Sequence, residues 1–598
     1  MNLRTLAAAV CLLACAALPA RSQWITQTFA LKTGWNAVYL HVDPSYATLD
    51  QLIGSAAPVI LPIDEVWRWN PALSDSQFVL SPQKPSDSPT QWASWKASAS
   101  GTSAMNRFVP NSAYLVHCTA DTTLSLKGRP VMPSYKWSTS GLNFFGFPTV
   151  TTAPPSFDTF FGPVPAIQQG EIYRYPGGPL GAGNPQRIFA LRSTPVKRGE
   201  AYWLRAGEVY NRYYGPFEIS SAGSGASYGA SLSSVSFRVR NLTAAPLTVS
   251  MTLRASETPP SGQPAIVGVP SIMVRGAIDP STLTYPYTRL PVNTPKTMTL
   301  APVGQVGSDG EIVLGLDRST MGGTPGNQFA GVLQFTDSLG QIRTDMAVSA
   351  TTASTAGLWI GTASVTRVGQ YLVNYQKDTG NNLVLDSSGK YVVSSVITNL
   401  TPVPTAFPLR LIVHNPATGP ASLFQRIYFG YDAATNNIVA NQEETLAAGL
   451  LDKARRISAT HLPFSSDNVG WTFDGSLGSG RTVTARVTNA FNDHASNPFL
   501  HTFHPDHDNL DATFKNELPQ GSESYAITRE ITLVVKPPAD DFDSLVNSGL
   551  DLSGTYVETI RLQGLARAGN TYDTRRFDVR GVFTLNRISE IATITPLR

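Results

Sequence analysis

Large side chains fall on alternate positions through much of the chain. "EVWRWN" (65–70) and "EIYRYP" (171–176) set aromatic residues two apart with an arginine between them. That is the period of a strand with one buried face. Both segments sit inside longer stretches that match. "FALKTGWNAVYLHVDPSYATLDQLIG" precedes the first and "VPNSAYLVHCTADTTLSLKGRP" follows it. "YKWSTSGLNFFGFPTVTTAPPSFDTFFG" precedes the second and "VKRGEAYWLRAGEVYNRYYGPFEI" follows it. Gly34 aligns with Gly141, Asn36 with Asn143, Trp67-Arg68-Trp69 with Tyr173-Arg174-Tyr175, and Ala113-Tyr114 with Ala201-Tyr202. The spacing predicts two tandem small β modules, 23–131 and 132–219. The first carries an inserted loop that holds Trp92 and Trp95.

A Gly/Ser/Ala-rich stretch, 220–234, reads as a flexible linker. Strand patterns then follow one another, as in "VSFRVRNLTAAPLTVSMTLRAS" and "AGVLQFTDSLGQIRTDMAVSAT". They predict an immunoglobulin-like sandwich over 235–352 and a C-terminal β domain over 353–598. One helix is expected there, over "NQEETLAAGLLDKARRI" (441–457). Leu446, Leu450, Leu451 and Ala454 would form its apolar stripe, with Glu443 and Glu444 at its start and Lys453, Arg455 and Arg456 at its end. The expected fold class is therefore mainly β: tandem small β modules followed by immunoglobulin-like β-sandwich domains, with one helix in the C-terminal part.

Composition agrees with many short strands and turns: of 598 residues, 48 are Gly and 44 Pro, and only 15% are charged. A net charge of +3 without a dense Lys/Arg run argues against nucleic-acid binding through a basic footprint. Residues 1–22 read as a secretory signal peptide, with Arg4 before an apolar run and Ala20-Arg21-Ser22 at the cut before Gln23. Cys15 after Leu12-Leu13-Ala14 offers a lipoprotein signal as the alternative. No later segment reaches the roughly 18 to 20 apolar residues of a membrane-spanning helix. The chain is expected to be exported, to periplasm, cell surface or exterior. Cys118 alone would remain after cleavage. On the strand "YLVHC" it reads as a buried, inert thiol, since adjacent His117 would point to the other face.

The "GWN…VWRWN…AYLV" modules, together with a C-terminal region containing "HPDHDNLDATF", resemble those of uncharacterised secreted multidomain β proteins of environmental bacteria. The likeness spans most of the mature chain. It implies a secreted multidomain β architecture and carries no known activity.

Candidate chemistry concentrates in "NPFLHTFHPDHDNLDATF" (497–514). Calcium takes hard oxygen ligands, and Asp506, Asp508, Asn509 and Asp511 offer four side chains that supply them. The EF-hand pattern is not met, because Leu510 stands at a ligand position and no glycine follows. A transition metal would use His504 and His507, gathered by a bend at Pro505. His504-x-Asp506-His507 also matches the latter half of a metallo-β-lactamase-type signature, with Thr502 in place of its first histidine. The third reading is a polar loop whose Asp and Asn side chains bond their own backbone. Trp92 and Trp95 are candidates for stacking on a ligand such as a sugar. Gly225-Ala226-Ser227-Tyr228-Gly229 has the form of a serine-hydrolase elbow but lacks the strand and helix that motif needs. Three functions remain. The first is an exported non-catalytic binding or structural protein with an extracellular polymer or envelope protein as partner. The second is a carbohydrate-binding protein. The third is a metal-dependent hydrolase at the His/Asp-rich loop (494–511), centred on His504, Asp506 and Asp508; calcium is the candidate cofactor where the loop is instead a structural staple.

Overall fold

The computed structural model describes residues 23–593 except 71–80, 88–91, 100–102, 135–140, 165–166, 168–170, 182, 206–212, 399, 425–428, 433–436, 441–453, 459–470, 490–510, 512, 514, 517, 519–525, 537–549 and 568–570. The signal-peptide reading of 1–22 lies outside them. The chain is mainly β and forms two compact units, one up to Thr352 and one from Ala353.

The first module contains β1 (Ile25–Leu31), β2 (Gly34–Tyr39), β3 (Val42–Asp43), helix α1 (Leu49–Leu52), β4 (Ile63–Trp69), β5 (Trp92–Lys96), β6 (Ala113–Cys118) and β7 (Thr122–Pro130). The second contains β8 (Leu142–Phe145), α2 (Phe157–Phe160), β9 (Ile172–Arg174), β10 (Gln186–Arg187) and β11 (Tyr202–Arg205). Their sheets share one order. It is β2-β6-β4-β5 in the first module and β8-β11-β9-β10 in the second. The aligned residues do the same local work in both. Asn36 Nδ2 donates to the Gly34 carbonyl (3.1 Å) and Asn143 Nδ2 to that of Gly141 (3.3 Å). Thr48 caps α1 and Ser156 caps α2 through their hydroxyl oxygens. Tyr114 Oη accepts from Val109 N–H (2.6 Å), and Tyr202 Oη from Lys197 N–H (3.0 Å), five residues upstream in each case.

The modules differ after the last shared strand. In the first, β7 turns back to pair with β1 and β3, closing a second core around Phe29, Leu124, Val66 and Trp95. In the second, the next strand, β12 (Phe217–Ser221), joins the sandwich instead. One sheet of that sandwich runs β12, β14 (Ser234–Asn241), β20 (Asp309–Leu316), β17 (Ile272–Arg275), β18 (Tyr287–Arg289). The other runs β13 (Gly225–Ser227), β22 (Arg343–Thr351), β21 (Gln328–Asp337), β15 (Leu247–Ala255), β19 (Pro295–Leu300), with β16 (Ile266–Gly268) also on β21. Phe237 and Phe335 meet edge to face between the sheets, ring centres 5.6 Å apart.

Residues 220–234 are not a flexible linker: they carry the end of β12, all of β13 and the start of β14. Their small side chains serve close approach. A Cβ on Gly225 would lie 2.6 Å from the Ala347 carbonyl oxygen of the neighbouring strand. Tyr228 is fully buried and donates to the Leu314 carbonyl (3.1 Å). Buried Arg318 donates to the carbonyls of Tyr228, Gly229, Leu232 and Thr351.

The C-terminal unit contains β23 (Gly357–Tyr375), β24 (Val393–Thr398), β25 (Thr401–Asn415), β26 (Ser422–Leu423), β27 (Phe429–Asp432), β28 (Asn437–Ala440), β29 (Ala454–Ser458), β30 (Trp471–Thr472), β31 (Thr482–Asn489), β32 (Ala526–Val535), β33 (Asp551–Arg567) and β34 (Thr571–Ser589). Its main sheet runs β30-β26-β25-β23-β34-β33-β32-β31, with β24 also on β23. The two ends of this path meet. Phe473 bridges Ala485, and Asp474 N–H donates to the Thr484 carbonyl (2.9 Å). The sheet therefore closes into an antiparallel barrel, which removes its free edges. Alternate residues Ile527, Ile531, Leu533 and Val535 of β32 point inward, while Glu530 and Val534 are exposed.

The expected helix over 441–457 fails at its end: Ala454, Arg455 and Arg456 lie in β29, paired with β27. A strand partner supplied by the fold overrides the helical charge pattern there. Residues 441–453 lie outside the described residues.

Candidate functional site

Trp92 and Trp95 do not face solvent. They are 3% and 1% exposed. Being three apart on one strand, they point to opposite faces of β5, and each face meets a core. Trp95 enters the core inside the first module and donates from Nε1 to Asp50 Oδ1 (2.9 Å). Trp92 enters a seam between the two modules. There it packs on Trp69 (ring centres 5.1 Å), and Trp69 on Trp203 (5.3 Å). Trp203 stacks on Phe144 (4.6 Å, 14° between planes) and donates to Tyr175 Oη (2.8 Å). Trp92 and Trp95 therefore offer no face for the expected ligand stacking, because their rings fill the interior.

The seam is closed along its side by main chain. Tyr39 N–H donates to the Gly199 carbonyl (2.8 Å) and Ala201 N–H to that of Ala37 (3.2 Å). Trp35 N–H donates to the Gly178 carbonyl (2.9 Å). Gly34, at φ +88°, passes so near that a Cβ would lie 2.4 Å from that same oxygen.

Cys118 is fully buried, and burial pushes its thiol up to about 12, away from the reactive thiolate form. His117 turns instead to Asp64, with Nδ1 and Oδ1 2.6 Å apart. Ser227 sits within β13, 3.4 Å from the Ser349 hydroxyl on β22, not on a strand-to-helix turn.

Within the His/Asp-rich stretch, His504, Asp506, His507, Asp508 and Asn509 lie outside the described residues. Asp511 is described, and it holds its own turn. Oδ1 accepts from Thr513 N–H (3.0 Å), the Thr513 hydroxyl (2.7 Å) and Lys515 N–H (3.1 Å), and Oδ2 accepts from Asn516 (2.6 Å). The Thr513 hydroxyl, then Lys515 N–H and the Asn516 amide, hold its carboxyl well below the usual range. Four donors occupy both oxygens, which argues against Asp511 as a cation ligand. Asp511→Ala is expected to lower the melting temperature equally in EDTA and in calcium. A loss that appears only in calcium would return Asp511 to the ligand set. Among the described residues no group of three or more His, Cys, Asp and Glu is placed to hold a metal ion.

One cluster escapes the sequence reading. Inside the barrel, Arg529 Nε donates to Glu558 Oε1 (2.5 Å), with both side chains wholly buried. Tyr556 donates to Glu558 Oε2 (2.6 Å), and the Trp471 ring lies 5.1 Å from the Arg529 guanidinium carbon. Burial first, then the Glu558 charge, push the Tyr556 phenol well above its ordinary value, so it stays a donor. Each Glu558 oxygen already accepts a proton donor, which suits a structural pair better than a general base. The signal was present: Arg529 and Glu558 each occupy the inward phase of an otherwise apolar alternation.

No family model matches the chain, and no curated protein matches it. It is similar over 64% of its length to 94% of a Bacteroides ovatus protein of unknown function, at 8% identity and a TM-score of 0.16. A second Bacteroides ovatus protein of unknown function is matched over 62% of this chain and 96% of that one, at 9% identity and a TM-score of 0.11. Likenesses this weak bear on neither fold nor activity.

Proposed function

We propose that this is an exported, non-catalytic protein that binds or assembles with an extracellular polymer or an envelope protein. The observation that carries the reading is the use made of chemistry-bearing side chains. Trp92, Trp95, Cys118, Ser227, Asp511, Arg529 and Glu558 are each committed to packing or to a bond that holds the fold. The tandem modules and the sandwich share one core, as suits a stiff extracellular body.

The test uses mature chain 23–598. It is expected to cosediment with an insoluble envelope or polysaccharide fraction. It is also expected to give no turnover of model esters, phosphate esters or glycosides with calcium or zinc present. Turnover abolished by EDTA and by Asp506→Ala/Asp508→Ala would overturn the reading and place a hydrolase at the His/Asp-rich loop.

A further inference from the structure

His41 follows β2 and is buried, at 3% exposure, where three parts of the N-terminal unit meet. Its N–H donates to Gln27 Oε1 (2.9 Å) and its carbonyl accepts from Val131 N–H (3.2 Å). Its ring lies 4.9 Å from that of Tyr39. The ring bonds the backbone of Phe147 in the second module, while Nε2 is buried without a partner.

The charges acting on this ring come from two other parts of the unit. Arg198 belongs to the second module and Arg343 to the sandwich. They share one carboxylate, Asp345, at 3.2 Å from Arg198 Nη2 and 3.2 Å from Arg343 Nε. Arg198 Nη1 also donates to the Arg343 carbonyl (2.6 Å). Glu200, near Arg198 in sequence, is engaged with Lys197 and Tyr202. The neighbouring main chain stitches the three parts together. Tyr39 N–H donates to the Gly199 carbonyl (2.8 Å), Arg343 N–H to that of Pro148 (2.8 Å), and Val150 N–H to that of Gln341 (3.0 Å).

We propose that His41 is an acid-sensitive latch: neutral, it closes the junction of first module, second module and sandwich, and protonated, it opens that junction. Protonation would place a third cation beside two guanidiniums that share one carboxylate, where Arg198 and Asp345 are buried and Arg343 is partly open to solvent. Burial first and then Arg198 hold the ring well below its ordinary value, Arg343 adds to this, and the Phe147 bond opposes it. A group depressed in the folded state contributes stability that is present above its unfolded pKa. For histidine that contribution fades as pH falls below about 6.5 toward the folded value.

The test is amide hydrogen exchange on mature chain 23–598 from about pH 7.5 to about pH 5, corrected for intrinsic rates. Protection at the Tyr39, Ala201 and Arg343 amides is expected to fall by up to about tenfold per pH unit below about 6.5. In His41→Gln the same amides should hold nearly constant protection. A flat wild-type profile, or an unchanged slope in His41→Gln, overturns the proposal. If His41→Gln does not fold at neutral pH, Arg343→Gln decides. With one cation gone the folded-state value rises, so protection must level off at a higher pH and fall less in total than in the wild type, and an unchanged profile overturns the latch.

Discussion

Glu558→Gln is expected to cost the C-terminal barrel about 3–5 kcal/mol, the usual penalty for breaking a buried ion pair by removing one partner. The substitution keeps shape and volume. What it removes is the charge that balances the Arg529 guanidinium, and both side chains are wholly buried. Replacing both together should behave differently. Arg529→Met with Glu558→Leu and Tyr556→Phe removes both desolvated charges together with the hydroxyl that bonds Glu558, and leaves apolar groups, a change that is often neutral or stabilising. Urea unfolding, read by hydrogen exchange of Ala526–Val535, separates the barrel from the N-terminal unit. If the single variant costs less than about 1 kcal/mol, the value of an exposed pair, water reaches the cluster and the pair is not desolvated.

That pair also marks what the sequence could reveal. Period-two patterning identifies strands because burial on one face is a local demand, and "EVWRWN" and "EIYRYP" meet it within six residues. The repeat anchors were legible for the same reason. Asn36 and Asn143 bond a carbonyl two residues away, and Tyr114 and Tyr202 bond an amide five residues away. Barrel closure was not legible, because it rests on Phe473 meeting Ala485 and on strands far apart in sequence. Residues 220–234 are ambiguous in sequence because glycine and serine permit both freedom and close approach, and only the position of Ala347 decides between them. Trp92 and Trp95 lie on a strand and not in the expected loop. Their odd spacing is the mark of a strand buried on both faces. At the His/Asp-rich stretch, Asp511 bonds its own turn as a polar loop would, and residues 490–510 lie outside the described residues.

Trp203→Ala is expected to cost about 3–5 kcal/mol, as for a large aromatic truncated in a packed core. Trp203 is fully buried, and the loss has three parts. The stack on Phe144 and the edge contact with Trp69 disappear, and Tyr175 Oη loses its donor. Trp203→Phe should keep most of the packing and lose the bond, so about 1–2 kcal/mol is expected for it. Hydrogen exchange then distinguishes two kinds of tandem repeat. If the modules fold as separate beads, Trp203→Ala will lower protection in β8, β9 and β11 and spare β4. The seam predicts the other result, a matching loss in Ile63–Trp69, because Trp69 and Trp203 share one aromatic core. A shared core means that neither module can reorient without exposing several aromatic rings at once. Any ligand of the N-terminal unit must then be recognised on outward surfaces held at fixed spacing, which is how a stiff body can read an extended polymer or a partner of defined size.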